Sequence, residues 1–114
     1  HAALDHFERA YTICEKEHDM FSTLALNNKK TDVYRKLGEI DIIAQREDEL
    51  HFIEVKSGKS ESFDPVYNVT PAKLRKVINS AHYYMKVKQL DLPFSIDALI
   101  VRGDEVEFIE NVTL

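Results

Sequence analysis

The sequence predicts an α/β protein, a mixed β-sheet of about five strands flanked by helices in the order α-β-β-β-α-β-β. Three observations carry this prediction. Apolar residues recur at helical spacing in two separate stretches, residues 4–17 and the segment that starts at Thr70. Short runs rich in Val, Ile and Phe lie between and after them, bounded by turn residues, as strands are. The later helix falls between the third and fourth strands, where a right-handed crossover makes two strands parallel.

Each element follows from its residues. In residues 4–17, Leu4, Phe7, Tyr11 and Cys14 stand three and four apart with charges between them. Residues 21–26 are β-prone and stop at the turn signal Asn27-Asn28. Residues 29–36 read as a basic, polar connection. Residues 37–44 and 50–56 read as two strands joined as a hairpin through a charged turn. Residues 57–70 contain Gly58, Asp64 and Pro65 and read as a long loop, which in a compact domain usually carries function or motion. Thr70 is a good N-cap and Pro71 suits the first helical position. Leu74, Val77, Ile78, Ala81, Tyr84 and Met85 then mark one apolar face, and residues 91–93 end the helix. Residues 94–101 read as a buried strand, and residues 105–109 as an edge strand after the turn Gly103-Asp104.

The 114 residues, 44% hydrophobic and 31% charged, fit one folded domain over residues 1–114. The lone Cys14 excludes an internal disulfide framework and a multi-cysteine zinc site, and suits a reducing, cytoplasmic setting. No run approaches the ~20 apolar residues of a membrane span, and the first thirty residues are too charged for a signal peptide. The net charge of −5 argues against a nucleic-acid partner until its distribution is considered. Lys29, Lys30, Arg35 and Lys36 stand against Asp32 alone, and Lys73, Arg75, Lys76, Lys86 and Lys88 share a segment without any acid. The chain is polarised, so two basic segments remain available to phosphates.

The hairpin is the feature that stands out on physical grounds. A turn centred on Glu47-Asp48 sets Asp41 opposite Glu54 and Glu39 opposite Lys56, and the alternation of a strand puts all four on one face. Ile40, Ile42, Ile53 and Val55 then share the other face, which is expected to be the core face. Opposed carboxylates about 4.5–5.5 Å apart at Cβ destabilise a strand pair. A divalent cation removes that penalty, and Mg²⁺ typically takes one or two carboxylates together with water and phosphate oxygens. Carboxylates, a metal and a lysine are the minimum apparatus for phosphodiester hydrolysis. Cross-strand Glu/Lys pairs also serve simply to solubilise a sheet, and the residues alone leave both readings open.

Gly38-Glu39-Ile40-Asp41-Ile42-Ile43-Ala44 followed by Leu50-His51-Phe52-Ile53-Glu54-Val55-Lys56 resembles the signature of the YraN family. This is a small bacterial group with the PD-(D/E)XK restriction-endonuclease-like fold, similar to Holliday-junction resolvases. Lys73, Ala81 and Tyr84, then Ile96-Asp97-Ala98-Leu99 and Ile109-Glu110-Asn111, continue the likeness. The resemblance implies an endonuclease using Mg²⁺ or Mn²⁺. Asp41 and Glu54 would bind the metal, Val55 would lend its backbone carbonyl, and Lys56 would be the catalytic lysine. Glu39 matches a further acidic position, and Glu8 resembles a first-helix glutamate that joins the metal shell, although Phe7 stands where the family has glycine. The same fold includes members that bind without cutting. A catalytically silent nucleic-acid-binding or protein-interaction module is therefore the alternative expectation.

The candidate partner is DNA, branched DNA by the likeness to resolvases, gripped by Lys73, Arg75, Lys76, Lys29 and Lys30; a homodimer would suit a two-strand cutter. Lys86 and Lys88 read as a solvated face. His6, His18, His51 and His82 show no ligand spacing, and His51 should point off the acidic face into a surface or hydrogen-bonded role. Asp97 is expected either to support the metal shell or to cap a turn. Tyr84 belongs to the apolar stripe.

Overall fold

A computed structural model describes residues 22–57, 70–102 and 105–112. Their elements run β1 (Ser22–Leu26), α1 (Asp32–Lys36), β2 (Ile42–Arg46), β3 (Glu49–Ser57), α2 (Pro71–Val87), β4 (Phe94–Arg102) and β5 (Glu105–Ile109). The helix expected at residues 4–17 and nearly all of the expected 57–70 loop lie outside the described residues. The strands form one five-stranded sheet in chain order. β3 and β4 are parallel, and the other neighbouring pairs are antiparallel. The parallel pair is the one that α2 connects, so the mixed α/β architecture follows from the crossover.

β2 and β3 are joined by Glu47 and Asp48, with Glu47 in the left-handed region at φ 55°. The pairing runs from Arg46 opposite Glu49 to Ile42 opposite Ile53, the register that the Glu47-Asp48 centre predicts. β2 begins at Ile42 instead of residue 37, because a helix that the basic segment concealed comes first. Thr31 caps α1 through the Tyr34 amide, Asp32 lies in its first turn, and Arg35 and Lys36 lie in its last. That charge order complements the helix dipole. Gly38 then reverses the chain at φ +61°, where a Cβ would meet nothing within 4 Å. Backbone conformation, rather than space, asks for glycine here.

The core forms two clusters. On the α2 side, Ile43, Leu50, Phe52 and Ile96 pack with Ala81, Tyr84 and Met85, and Leu37 and Ile40 join them. On the other side lie Ile42, Ala44, Ile53, Leu99 and Val101, with Val55 packed against them. Both faces of the hairpin are therefore buried, which corrects the expectation of a single core face and moves Ile40 to the α2 side. The cause is position: β3 is the central strand of the sheet, and central strands bury both faces. The Phe52 ring meets Tyr84 and Phe94 edge-to-face, with centroids 6.0 and 5.8 Å away.

α2 starts as predicted, with the Thr70 hydroxyl accepting the Lys73 amide hydrogen at 3.2 Å and Pro71 following it. It ends at Val87, before residues 91–93, because Lys88 caps it and Gln89 turns into the left-handed region at φ 56°. Among the described residues, no helix is long and apolar enough to cross a membrane.

Candidate metal centre

Regular pairing of the hairpin stops at Ile42, and that interruption builds the site. The Asp41 amide donates to the Ile53 carbonyl at 2.9 Å, and the Asp41 carbonyl accepts from the Asn27 amide at 2.8 Å. The Asp41 carboxylate then accepts the Val55 amide hydrogen at 2.8 Å, where a regular ladder would offer the Ile40 carbonyl. That carbonyl is occupied by Asn27, whose Nδ2 donates to it at 2.8 Å. The aspartate is thus fixed by three bonds between the end of β1 and the far half of β3.

Glu54 and Lys56 flank Val55 on β3, two residues apart, so they project together on the side that carries Leu50 and Phe52. Their side chains form an ion pair, with Lys56 Nζ 2.8 Å from Glu54 Oε1. Glu39 is exposed, but its carboxyl is near enough to act on Asp41, Glu54 and Lys56. The hairpin therefore brings Glu39, Asp41, Glu54 and Lys56 together at the end of the face that α2 covers.

Burial is the largest influence on both central acids. It pushes the Asp41 carboxyl above the ordinary aspartate range, against the Val55 amide hydrogen bond and the charge of Lys29. Burial also pushes Glu54 up; the Lys56 hydrogen bond opposes this and the Glu39 carboxyl reinforces it. Lys56 is itself held above the usual lysine value, first by its hydrogen bond to Glu54, with burial opposing. The site binds its acids half-desolvated and like-charged, with one lysine to offset them.

No group of three or more His, Cys, Asp or Glu side chains that could hold a metal ion occurs among the described residues. The two half-buried carboxylates still fit the hard oxygen donors that Mg²⁺ takes, since that ion commonly completes its shell with water and substrate phosphate. Glu8 lies outside the described residues.

The basic candidates separate. Lys73 and Lys76 line a cleft of about 350 Å³ between α1 and α2, which Glu39 also lines. Lys29 acts on Asp41 through its charge, while Lys30 is exposed, its amide tied to Asn28 Oδ1 at 2.9 Å. Arg75 is exposed on α2 and does not line that cleft. Arg35 and Lys36 do line it. The signal for that placement was the Thr31-Asp32 start and Gly38 stop of α1.

Asp97 resolves to the turn-capping role. Its register partner is Ile53, so it lies with His51 on the side of the sheet away from Glu54 and Lys56. Its Oδ1 accepts from the Asn111 amide at 2.8 Å and the Ser95 hydroxyl at 2.9 Å, and its Oδ2 is 2.6 Å from His51 Nδ1. His51 is accordingly buried and hydrogen-bonded, off the acidic face as predicted.

A five-stranded mixed sheet with one parallel pair, a helix crossing over it and acids on the central hairpin is the architecture of the restriction-endonuclease-like α/β class. Within that class, residues 10–106 match the profile described as "Uncharacterised protein family UPF0102", and the chain belongs to that family, which is the YraN family. A UPF0102 protein of Sulfurovum sp. (strain NBC37-1) is 81% identical over 80 residues, 70% of each chain. One from Wolinella succinogenes is 60% identical over 81 residues, 71% of this chain and 73% of its own. One from Helicobacter pylori (strain HPAG1) is 44% identical over 99 residues, 87% of this chain and 85% of its own.

Proposed function

We propose that this protein is a divalent-metal-dependent endonuclease that hydrolyses DNA phosphodiester bonds, with branched DNA as the substrate to test first. The observation that carries the reading is the grouping of Asp41, Glu54 and Lys56 where the hairpin ladder breaks. Asp41 and Glu54 would hold Mg²⁺ or Mn²⁺, joined by the Val55 carbonyl and by Glu39 or Glu8. Such an ion, when bound, lowers the pKa of coordinated water and neutralises charge on the phosphate. Lys56 would then leave Glu54 to hold the attacking water or a phosphate oxygen as a compact cation. Lys73, Arg75, Lys76, Lys29 and Lys30 are the candidate phosphate contacts, and binding through them weakens steeply with salt.

One observation favours a second reading, binding without cleavage. The Glu54–Lys56 ion pair already neutralises part of the acidic charge without any metal. The test is Mn²⁺-dependent cleavage of labelled four-way-junction, flap, linear-duplex and single-stranded DNA, beside Asp41→Asn. Cleavage that disappears in the variant supports the endonuclease. Binding that persists without cleavage, and that ignores Asp41→Asn, supports the binding module.

A further inference from the structure

We propose that the cleft between α1 and α2 is a phosphate-binding channel that receives an unpaired nucleic-acid strand beside the bond presented to Asp41 and Glu54. The channel deepens the endonuclease reading by naming the substrate form, and it stands on observations of its own. Arg35, Lys36, Lys73 and Lys76 line the cleft, against the single acid Glu39, in a chain whose net charge is −5. The concentration of cations here runs opposite to the molecule as a whole. Glu39, whose carboxyl acts on Glu54, also lines the cleft, so the basic wall and the acidic site have this residue in common.

The four cations are not equivalent. Arg35 reaches Asp32 and the Lys29 carbonyl, and Lys36 Nζ lies 4.8 Å over the Tyr83 ring, so α1 is braced against itself and against α2. Lys73 and Lys76 are one turn apart on α2, and among the described residues neither has a carboxylate partner. The first turn of α2 carries no acidic residue, so the positive end of the helix dipole adds to Lys73. Two lysines without a carboxylate partner, at the start of a helix whose first turn has no acid, favour an anion.

Size selects the form of that anion. At about 350 Å³ the cleft sits at the lower end of small-ligand sites, which span roughly 300–1,000 Å³. That is room for one nucleotide unit at a time. The sequence of a duplex is read by elements that enter its ~12 Å major groove, and a recess between two helices offers no such element. A single strand leading away from a flap or branch fits the recess.

The test is fluorescence anisotropy with the whole chain in EDTA, using a short labelled single strand and a blunt duplex of the same sequence. Wild-type protein is expected to bind the single strand at least about fivefold more tightly. The double variant Lys73→Gln/Lys76→Gln is expected to lose about tenfold and to flatten the salt dependence by roughly two phosphate contacts, each worth a slope of about −0.7 for single strands. Lys86→Gln/Lys88→Gln removes equal charge from the other end of α2 and is expected to stay within about twofold. Equal loss in both double variants, a preference for the duplex, or no strand binding at ~50 mM salt overturns the channel. The assay omits metal, so its outcome is independent of the metal-dependent cleavage that tests Asp41 and Glu54. Failure of the channel, in turn, leaves metal-dependent cleavage to be judged by its own assay.

Discussion

The Asp41 carboxylate takes the Val55 amide hydrogen at 2.8 Å, standing in for a backbone carbonyl at the point where the β2–β3 ladder ends. This bond locks the position of Asp41 to the strand that carries Glu54 and Lys56. Asp41→Ala leaves the Val55 amide without that acceptor and is expected to cost about 1–3 kcal/mol. Asp41→Asn keeps an oxygen acceptor and is expected to hold the fold within about 1 kcal/mol of wild type. Urea denaturation of the two variants checks this, and equal stability of both would show that the bond holds nothing.

The raised carboxyls of Asp41 and Glu54 give a signed pH dependence. Their folded-state pKa values lie above the unfolded ones, so their contribution to stability is complete below the ordinary carboxylate range and is lost as pH rises through the folded values. Without metal, Glu54→Gln at neutral pH is expected to stabilise by about 0.2–1 kcal/mol, the scale of a relieved like-charge pair. Bound Mn²⁺ reverses the sign for the wild type, because it stabilises the ionised acids. Its stabilising effect is expected to grow as pH rises from 5 to 8, reaching about 2.7 kcal/mol at a hundredfold excess over Kd. Thermal scans with and without Mn²⁺ read this directly, and a shift equal at all pH values would contradict it.

Lys56 is held protonated chiefly by Glu54. Lys56→Ala removes the group that draws Glu54 downward, so Glu54 is expected to titrate still higher and metal binding to need a higher pH. On the endonuclease reading, cleavage falls by at least about a hundredfold, the range of a lost acid–base or positioning group. Lys56→Arg keeps the charge but spreads it over a planar fork, and is expected to restore the pH of metal binding more fully than cleavage. A pH series of Mn²⁺-induced melting shifts, run beside single-turnover cleavage, separates the two effects.

How far the sequence could be read depended on what held each element. The start of α2 was legible because Thr70 and Pro71 are local signals and its apolar face is long enough for periodicity to register. α1 was not, because five residues are too few to show a period and their basic charge resembled a solvated loop. The hairpin register was legible from its turn, yet the break at Asp41 was hidden, since a side chain there replaces a backbone acceptor. The second buried face of the hairpin was hidden too. Glu54 and Lys56 lie in line with Leu50 and Phe52, so their charge masked a face that is core for most of its length. The pairing of His51 with Asp97 joins residues 46 apart in sequence, and no local pattern records it.

That pairing supplies the last prediction. Asp97 is fully buried and accepts from Asn111 and Ser95 while its other oxygen meets His51, so one side chain ties β3, β4 and the chain after β5. Removing Asp97 takes an acceptor from Ser95, Asn111 and His51 at once within the buried sheet, and Asp97→Ala is expected to cost about 3–5 kcal/mol, among the largest of any single substitution here. Loss of the Asn111 bond is also expected to raise amide exchange at residue 111 before the rest of the sheet. Asp97→Asn keeps an acceptor for Asn111 and is expected to cost less. Because Asp97 faces away from Glu54, the Mn²⁺-induced melting shift of Asp97→Asn should match that of the wild type. Loss of that shift in a variant that still folds would place Asp97 in the metal's surroundings after all.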